Sequence, residues 1–200
     1  MFRSMGLALA AIALLGGAPS ARAGTIIYYA VLSGPNEDPP NDSPGTGIAW
    51  VTVDDVANTL RVQVTFSDLL GVTTAAHIHA PTAEPLTGVA GVATQVPSFT
   101  GFPLGVTSGT MDETFDMTQE STWNPAYITA NGGTAAGAQA AFLTALAEGR
   151  AYFNIHTDLF PRGEIRGFLV PEPSSLLLGG LAAGSLGVFR LGRRHFTTRP

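Results

Sequence analysis

Cysteine and lysine are both missing from this 200-residue chain. Without cysteine there can be no disulfide, no thiolate metal site and no Cys nucleophile. Charged residues amount to only 12% of the sequence, and all 10 basic residues are Arg. So little Glu, Lys and Arg excludes a long heptad coiled coil. Between Gly24 and Leu169 stand 14 acids against 4 arginines, a net charge of −10. A body this acidic, with no basic stripe, excludes nucleic acid as a partner, because binding phosphates requires cations that displace their counterions. What is plentiful is apolar residues, at 45%, together with 24 Gly and 14 Pro. That mixture favours a turn-rich, packed domain.

The two ends read as addresses. Arg3 precedes the apolar run Leu7–Leu15, and Ala21-Arg22-Ala23 follows as a small-x-small cleavage pattern. Those features predict a secretory signal peptide over residues 1–23, cut by signal peptidase after Ala23. At the other end, Val170-Pro171-Glu172-Pro173-Ser174-Ser175 leads into an apolar stretch, Leu176–Phe189, and then Arg190, Arg193, Arg194 and Arg199. Fourteen helical residues reach only about 21 Å, short for a stable membrane span. The trailing arginines predict a cytoplasmic C-terminus. This three-part tail, residues 170–200, resembles the PEP-CTERM sorting signal of Gram-negative bacteria. The resemblance implies transient anchoring in the inner membrane through residues 176–189. It further implies removal of the tail by an exosortase and delivery of the body to the cell surface or extracellular matrix.

The body, residues 24–169, reads as one all-β domain. Leu60, Val62, Val64 and Phe66 alternate with Arg61, Gln63 and Thr65, the period of a strand with one buried face. Further strands are expected at Thr25–Leu32, Ile48–Val53, Thr74–Ala80, Met111–Met117, Ala151–Thr157 and Glu164–Leu169. Ala135–Glu148 differs in kind: Ala138, Phe142 and Leu146 fall on one helical stripe, and Gly149 supplies a stop. One helix inserted before the last two strands fits a Greek-key sandwich or barrel.

The body holds three histidines, His77, His79 and His156. Residues two apart on a strand share a face, so His77 and His79 lie opposite Ile78. In the later strand His156 shares its parity with Tyr152, Asn154 and Asp158, opposite Phe153 and Ile155. If the apolar set faces the core, all three imidazoles face away from it. Imidazole is the commonest ligand for Zn²⁺ and Cu²⁺, so His77, His79, His156 and Asp158 form a candidate site for Cu or Zn. Spacing alone is more often that of separate surface histidines bonded to loop groups.

Three ordered motifs carry a resemblance across nearly all of residues 25–169. They are Leu32-Ser33-Gly34…Glu37-Asp38-Pro39-Pro40…Gly47, Ala76-His77-Ile78-His79-Ala80-Pro81, and Tyr152–Thr157 with Pro161-Arg162-Gly163-Glu164-Ile165-Arg166-Gly167. Together they resemble the CHRD (chordin-like) domain. That resemblance implies an immunoglobulin-like or superoxide-dismutase-like Greek-key sandwich. Glu164 and Arg166 share a strand face and are expected to pair at the surface, and the acidic loop Glu37-Asp38…Asp42 is expected to be solvated.

The function this points to is a non-catalytic binding or structural module with a histidine metal site, exported and sorted to the surface or matrix. Matrix polysaccharide and surface proteins are its candidate partners there. The alternative is a copper/zinc-dependent oxidoreductase of superoxide-dismutase-like fold. Catalysis is disfavoured: a dinuclear site needs more imidazoles than three, and a net charge of −10 repels superoxide.

Overall fold

The alternating segment folds as a strand, Thr59–Ser67, whose Leu60, Val62, Val64 and Phe66 are all buried while Arg61 and Thr65 face solvent. The computed structural model describes residues 24–172. Eight strands follow in order: β1 (Thr25–Ser33), β2 (Thr46–Asp54), β3 (Thr59–Ser67), β4 (Thr73–His79), β5 (Gly109–Asp116), β6 (Tyr152–Thr157), β7 (Ile165–Phe168) and β8 (Val170–Pro171). They pair antiparallel in one curled sheet, in the order β4-β6-β7-β1-β2-β3-β5, with β8 on β1. This is the all-β architecture with a helical insert that the sequence predicts.

Each strand turns one parity inward. Tyr28, Ala30 and Leu32 of β1, Ala49, Val51 and Val53 of β2, and Ile78, Phe153, Ile155 and Ile165 across β4, β6 and β7 meet in a single core. The insert between β5 and β6 carries two helices, α1 (Pro125–Ala130) and α2 (Ala135–Ala147), where one was expected. Thr134 caps α2 by accepting from the Gly137 N–H, and Gly149, at φ +67°, follows its end. The helix buries Ala138, Phe142, Ala145 and Leu146, with Phe142 edge-on to Trp123 at 5.3 Å.

β7 and β8 are nearly one strand that changes partners. Leu169 N–H bonds to Ala151 O, then Val170 and Pro171 pair with Tyr29 and Tyr28 of β1, and Glu172 N–H reaches Ile27 O. The folded body therefore continues through the first residues of the Val-Pro-Glu-Pro motif, to Glu172. The signal peptide, Pro173 and the apolar and Arg-rich parts of the tail lie outside the described residues. No helix among the described residues is long and apolar enough to cross a membrane.

A buried carboxylate fixes the loops beside β6. Glu164 is fully buried, which is costly for an anion unless its oxygens are bonded. Its Oε1 accepts from Ser43 Oγ at 2.6 Å and from the Leu70 N–H, and its Oε2 from the Gly71 N–H at 3.1 Å and Thr157 Oγ1 at 2.7 Å. One side chain thus ties the β1–β2 loop, the β3–β4 loop and the end of β6 to the start of β7. Replacing it by Glu164→Gln sets an amide N–H₂ against donors. We expect residues 24–172 to lose about 3 kcal/mol in urea denaturation, whereas a loss below about 1 kcal/mol would show that these bonds are peripheral.

Candidate metal centre

The register of β4 against β6 brings the histidines together. His77 pairs with Asn154, His79 with Tyr152, and Ala75 with His156, while Ile78 opposes Phe153 on the core side. The parity expected from sequence is therefore realised: the three imidazoles share the face opposite the core. That face is not open to water, however. Loops cover it, so that His77 and His79 are buried at 7% and 8% exposure and His156 is half-buried with its Nε2 enclosed.

The rings form an almost equilateral triangle. Their centroids lie 5.7 Å apart for His77–His79, 5.2 Å for His77–His156 and 5.7 Å for His79–His156. Each ring spends one nitrogen on a loop carbonyl. His77 Nε2 meets Pro97 O at 2.6 Å, His79 Nδ1 meets Ala90 O at 2.9 Å, and His156 Nδ1 meets Pro161 O at 3.1 Å. A carbonyl only accepts, so each of these nitrogens is the N–H and the other carries a lone pair. Those other atoms, His77 Nδ1, His79 Nε2 and His156 Nε2, are buried without a hydrogen-bond partner.

Burial, opposed by the carbonyl bonds, holds the His77 and His79 imidazoles down to about 4 and lowers that of His156. At neutral pH all three rings are neutral, the form that ligates metals. One ligand atom from each lies within 4.8 Å of the others. Around a single ion at 2.0–2.1 Å, such nitrogens sit about 3.4 Å apart. The rings need close by about 1.4 Å at most to reach that spacing. Fixing each ligand's second nitrogen with a backbone carbonyl is how proteins orient metal-binding histidine. The triad can hold a metal ion.

Asp158, expected as a fourth ligand, does not join them. The chain has turned out of β6 after Thr157, so strand parity no longer governs it. Its Oδ1 accepts from the Val72 N–H at 2.8 Å, and its own N–H bonds to Val72 O. No other Asp, Glu or His among the described residues completes the cluster.

Around the triad lies a buried polar layer that sequence reading placed at the surface. Arg166 is 4% exposed; its Nε donates to Asn36 O at 2.6 Å and its Nη1 to Gly88 O at 3.1 Å. Glu37, expected to be solvated, is buried with its Oε2 3.8 Å from Arg166 Nε. Burial pushes its carboxyl up to about 7 despite that cation. Arg166 and Glu164 share a face yet do not pair; each is spent on loops. The Arg166 guanidinium carbon also lies 4.8 Å from the centre of the Tyr152 ring, which stacks parallel on His79 at 4.8 Å. Gly163, at φ +129°, lets the 158–164 turn close over this layer: a Cβ there would lie 2.5 Å from Asn154 Oδ1 and 2.7 Å from Glu37 Oε1. The one sequence signal for this layer was parity, since Tyr152, Asn154, His156 and Arg166 all sit at positions opposite core residues.

The curled all-β sheet with its helical insert thus carries a loop-covered three-histidine cluster on the face opposite the core. The CHRD domain family matches residues 28–169, and the chain belongs to that family. No curated protein and no solved structure matches it.

Depressed histidine values have a definite consequence for the metal-free protein. Between about 4 and the ordinary 6.5 the unfolded chain binds protons at His77 and His79 that the folded chain refuses. Stability from this source is therefore complete above 6.5 and falls as pH drops toward 4. Glu37 acts oppositely between 4.5 and about 7, where the folded state holds the extra proton. A comparison with His79→Asn, whose amide can replace Nδ1–H, separates the two. The variant is expected to lose less stability than wild type between pH 7 and pH 4.5 in urea denaturation. Equal losses would contradict the buried neutral His79.

Proposed function

We propose that this chain is a non-catalytic extracellular module that binds one metal ion, Cu or Zn, through His77, His79 and His156. The observation that carries the proposal is the convergence of three buried ring nitrogens with no hydrogen-bond partner. A buried polar atom left unpaired costs about 1–3 kcal/mol, and three of them on one histidine cluster are best accounted for by a ligand that accepts three lone pairs. Membership of the CHRD family supports a binding role over turnover. The donor set supports it too, because three imidazoles serve one mononuclear centre and leave none for the second metal of a copper/zinc oxidoreductase.

Export and sorting belong to the same reading. Signal peptidase cleaves after Ala23, an exosortase processes the tail beyond Val170-Pro171-Glu172-Pro173, and the module acts at the surface or in the matrix of a Gram-negative cell. There it meets matrix polysaccharide or surface proteins. Supporting this is the sequence of both ends. N-terminal sequencing of the chain recovered from a producing Gram-negative host should begin at Gly24; a chain that retains Met1 would overturn the export reading.

For the metal, residues 24–172 are exposed to stoichiometric Cu²⁺ or Zn²⁺, freed of excess by gel filtration and submitted to elemental analysis. Near-stoichiometric metal is expected, and its loss in a His77→Ala/His156→Ala variant. No retained metal in either protein would sink the proposal.

A further inference from the structure

The charges around the triad point to more than metal binding. All three ligands are neutral imidazoles, and all three of their hydrogen-bond partners are neutral backbone carbonyls. No carboxylate among the described residues joins the three-histidine cluster. Glu164 is saturated by four donors, Asp158 is held by the Val72 N–H, and Glu37 lies beside Arg166. A positive charge stands close by: the Arg166 guanidinium lies over Tyr152, one ring away from His79.

The ligand set itself therefore gives an ion no charge compensation. The cost of enclosing an uncompensated ion grows with the square of its charge, so a dication is penalised about four times as heavily as a monocation of similar size. Coordination number acts in the same direction. Zn²⁺ completes a tetrahedron with a fourth ligand, a water where the protein supplies three, whereas three loop-covered imidazoles whose ring centres form a near-equilateral triangle, with no fourth side chain among the described residues, suit a three-coordinate ion. Imidazole serves copper and zinc alike, so the donor atoms leave the choice to charge and geometry.

We infer that the His77–His79–His156 centre selects Cu(I) over Zn²⁺. The inference rests on the metal-site reading above and deepens it. Because binding is neither a redox nor a transfer step, the ion is supplied as Cu(I) and leaves as Cu(I).

The test is a direct competition on the full-length chain in detergent, under anaerobic conditions with ascorbate, offering equimolar Cu(I) and Zn²⁺. After desalting, elemental analysis should find copper over zinc by about tenfold or more. A His77→Gln/His79→Asn variant, which keeps the loop hydrogen bonds, should lose that copper and so exclude binding elsewhere in the chain. Zinc equal to or above copper in wild type overturns the selectivity but leaves the metal site standing. Neither metal retained overturns both. A second variant isolates the charge argument. Asn154→Asp, of nearly the same shape, sets a carboxylate opposite His77 and two residues before His156. It should move the copper-to-zinc ratio toward zinc by about tenfold; an unchanged ratio in the folded variant contradicts the charge argument.

Discussion

The register between β4 and β6 decides what both faces of this end of the sheet become. With Ile78 opposite Phe153, the apolar side chains enter the core, and His77, His79 and His156 are delivered together to the other side. Because side chains alternate with period two, a slip of one residue would exchange the two sets. A slip of β4 would turn His77 and His79 into the apolar core and Ile78 toward the loops; a slip of β6 would do the same with His156 against Phe153 and Ile155. The core and the metal centre are thus stabilised by the same pairing, and neither can be shifted without the other.

What turns a polar sheet face into a site is the covering of loops. Pro97, Ala90 and Pro161 contribute only their carbonyls, yet each fixes one ring's tautomer and so the direction of its lone pair. Those loops are held in turn by buried charge. Arg166 reaches Asn36 and Gly88, and Glu164 gathers Ser43, Leu70, Gly71 and Thr157. Burying these groups is tolerable because nearly all their hydrogen-bonding capacity is used. Three ring nitrogens of the triad are without partners, as are Glu37 Oε1 and Asn154 Oδ1 beside them, and a stability cost concentrated in one region is characteristic of a functional site.

The strands were legible in the sequence because alternation is a direct record of which side of a sheet is buried. Leu60 to Phe66 needed nothing else, and the shared face of His77, His79 and His156 followed from counting by twos. The parity argument failed at Asp158, where the chain had already left β6, and at the supposed Glu164–Arg166 surface pair. Periodicity reports faces; it does not report what lies over them. The cover here comes from the 80–108 and 158–164 loops and from Glu37, segments without a period, and its decisive atoms are backbone carbonyls that leave no trace in residue type. The short helix α1 escaped for a similar reason: six residues opening on Pro125 are too few to show a helical stripe.

Three neutral rings whose protons are fixed by carbonyls make the metal centre. Long-range proton–nitrogen NMR correlation on metal-free residues 24–172 at pH 7 reads each tautomer directly. The proton should be on Nε2 in His77 and on Nδ1 in His79 and His156, leaving three bare nitrogens in the buried cluster. Imidazolium rings, or a proton on any of those bare nitrogens, would contradict that assignment.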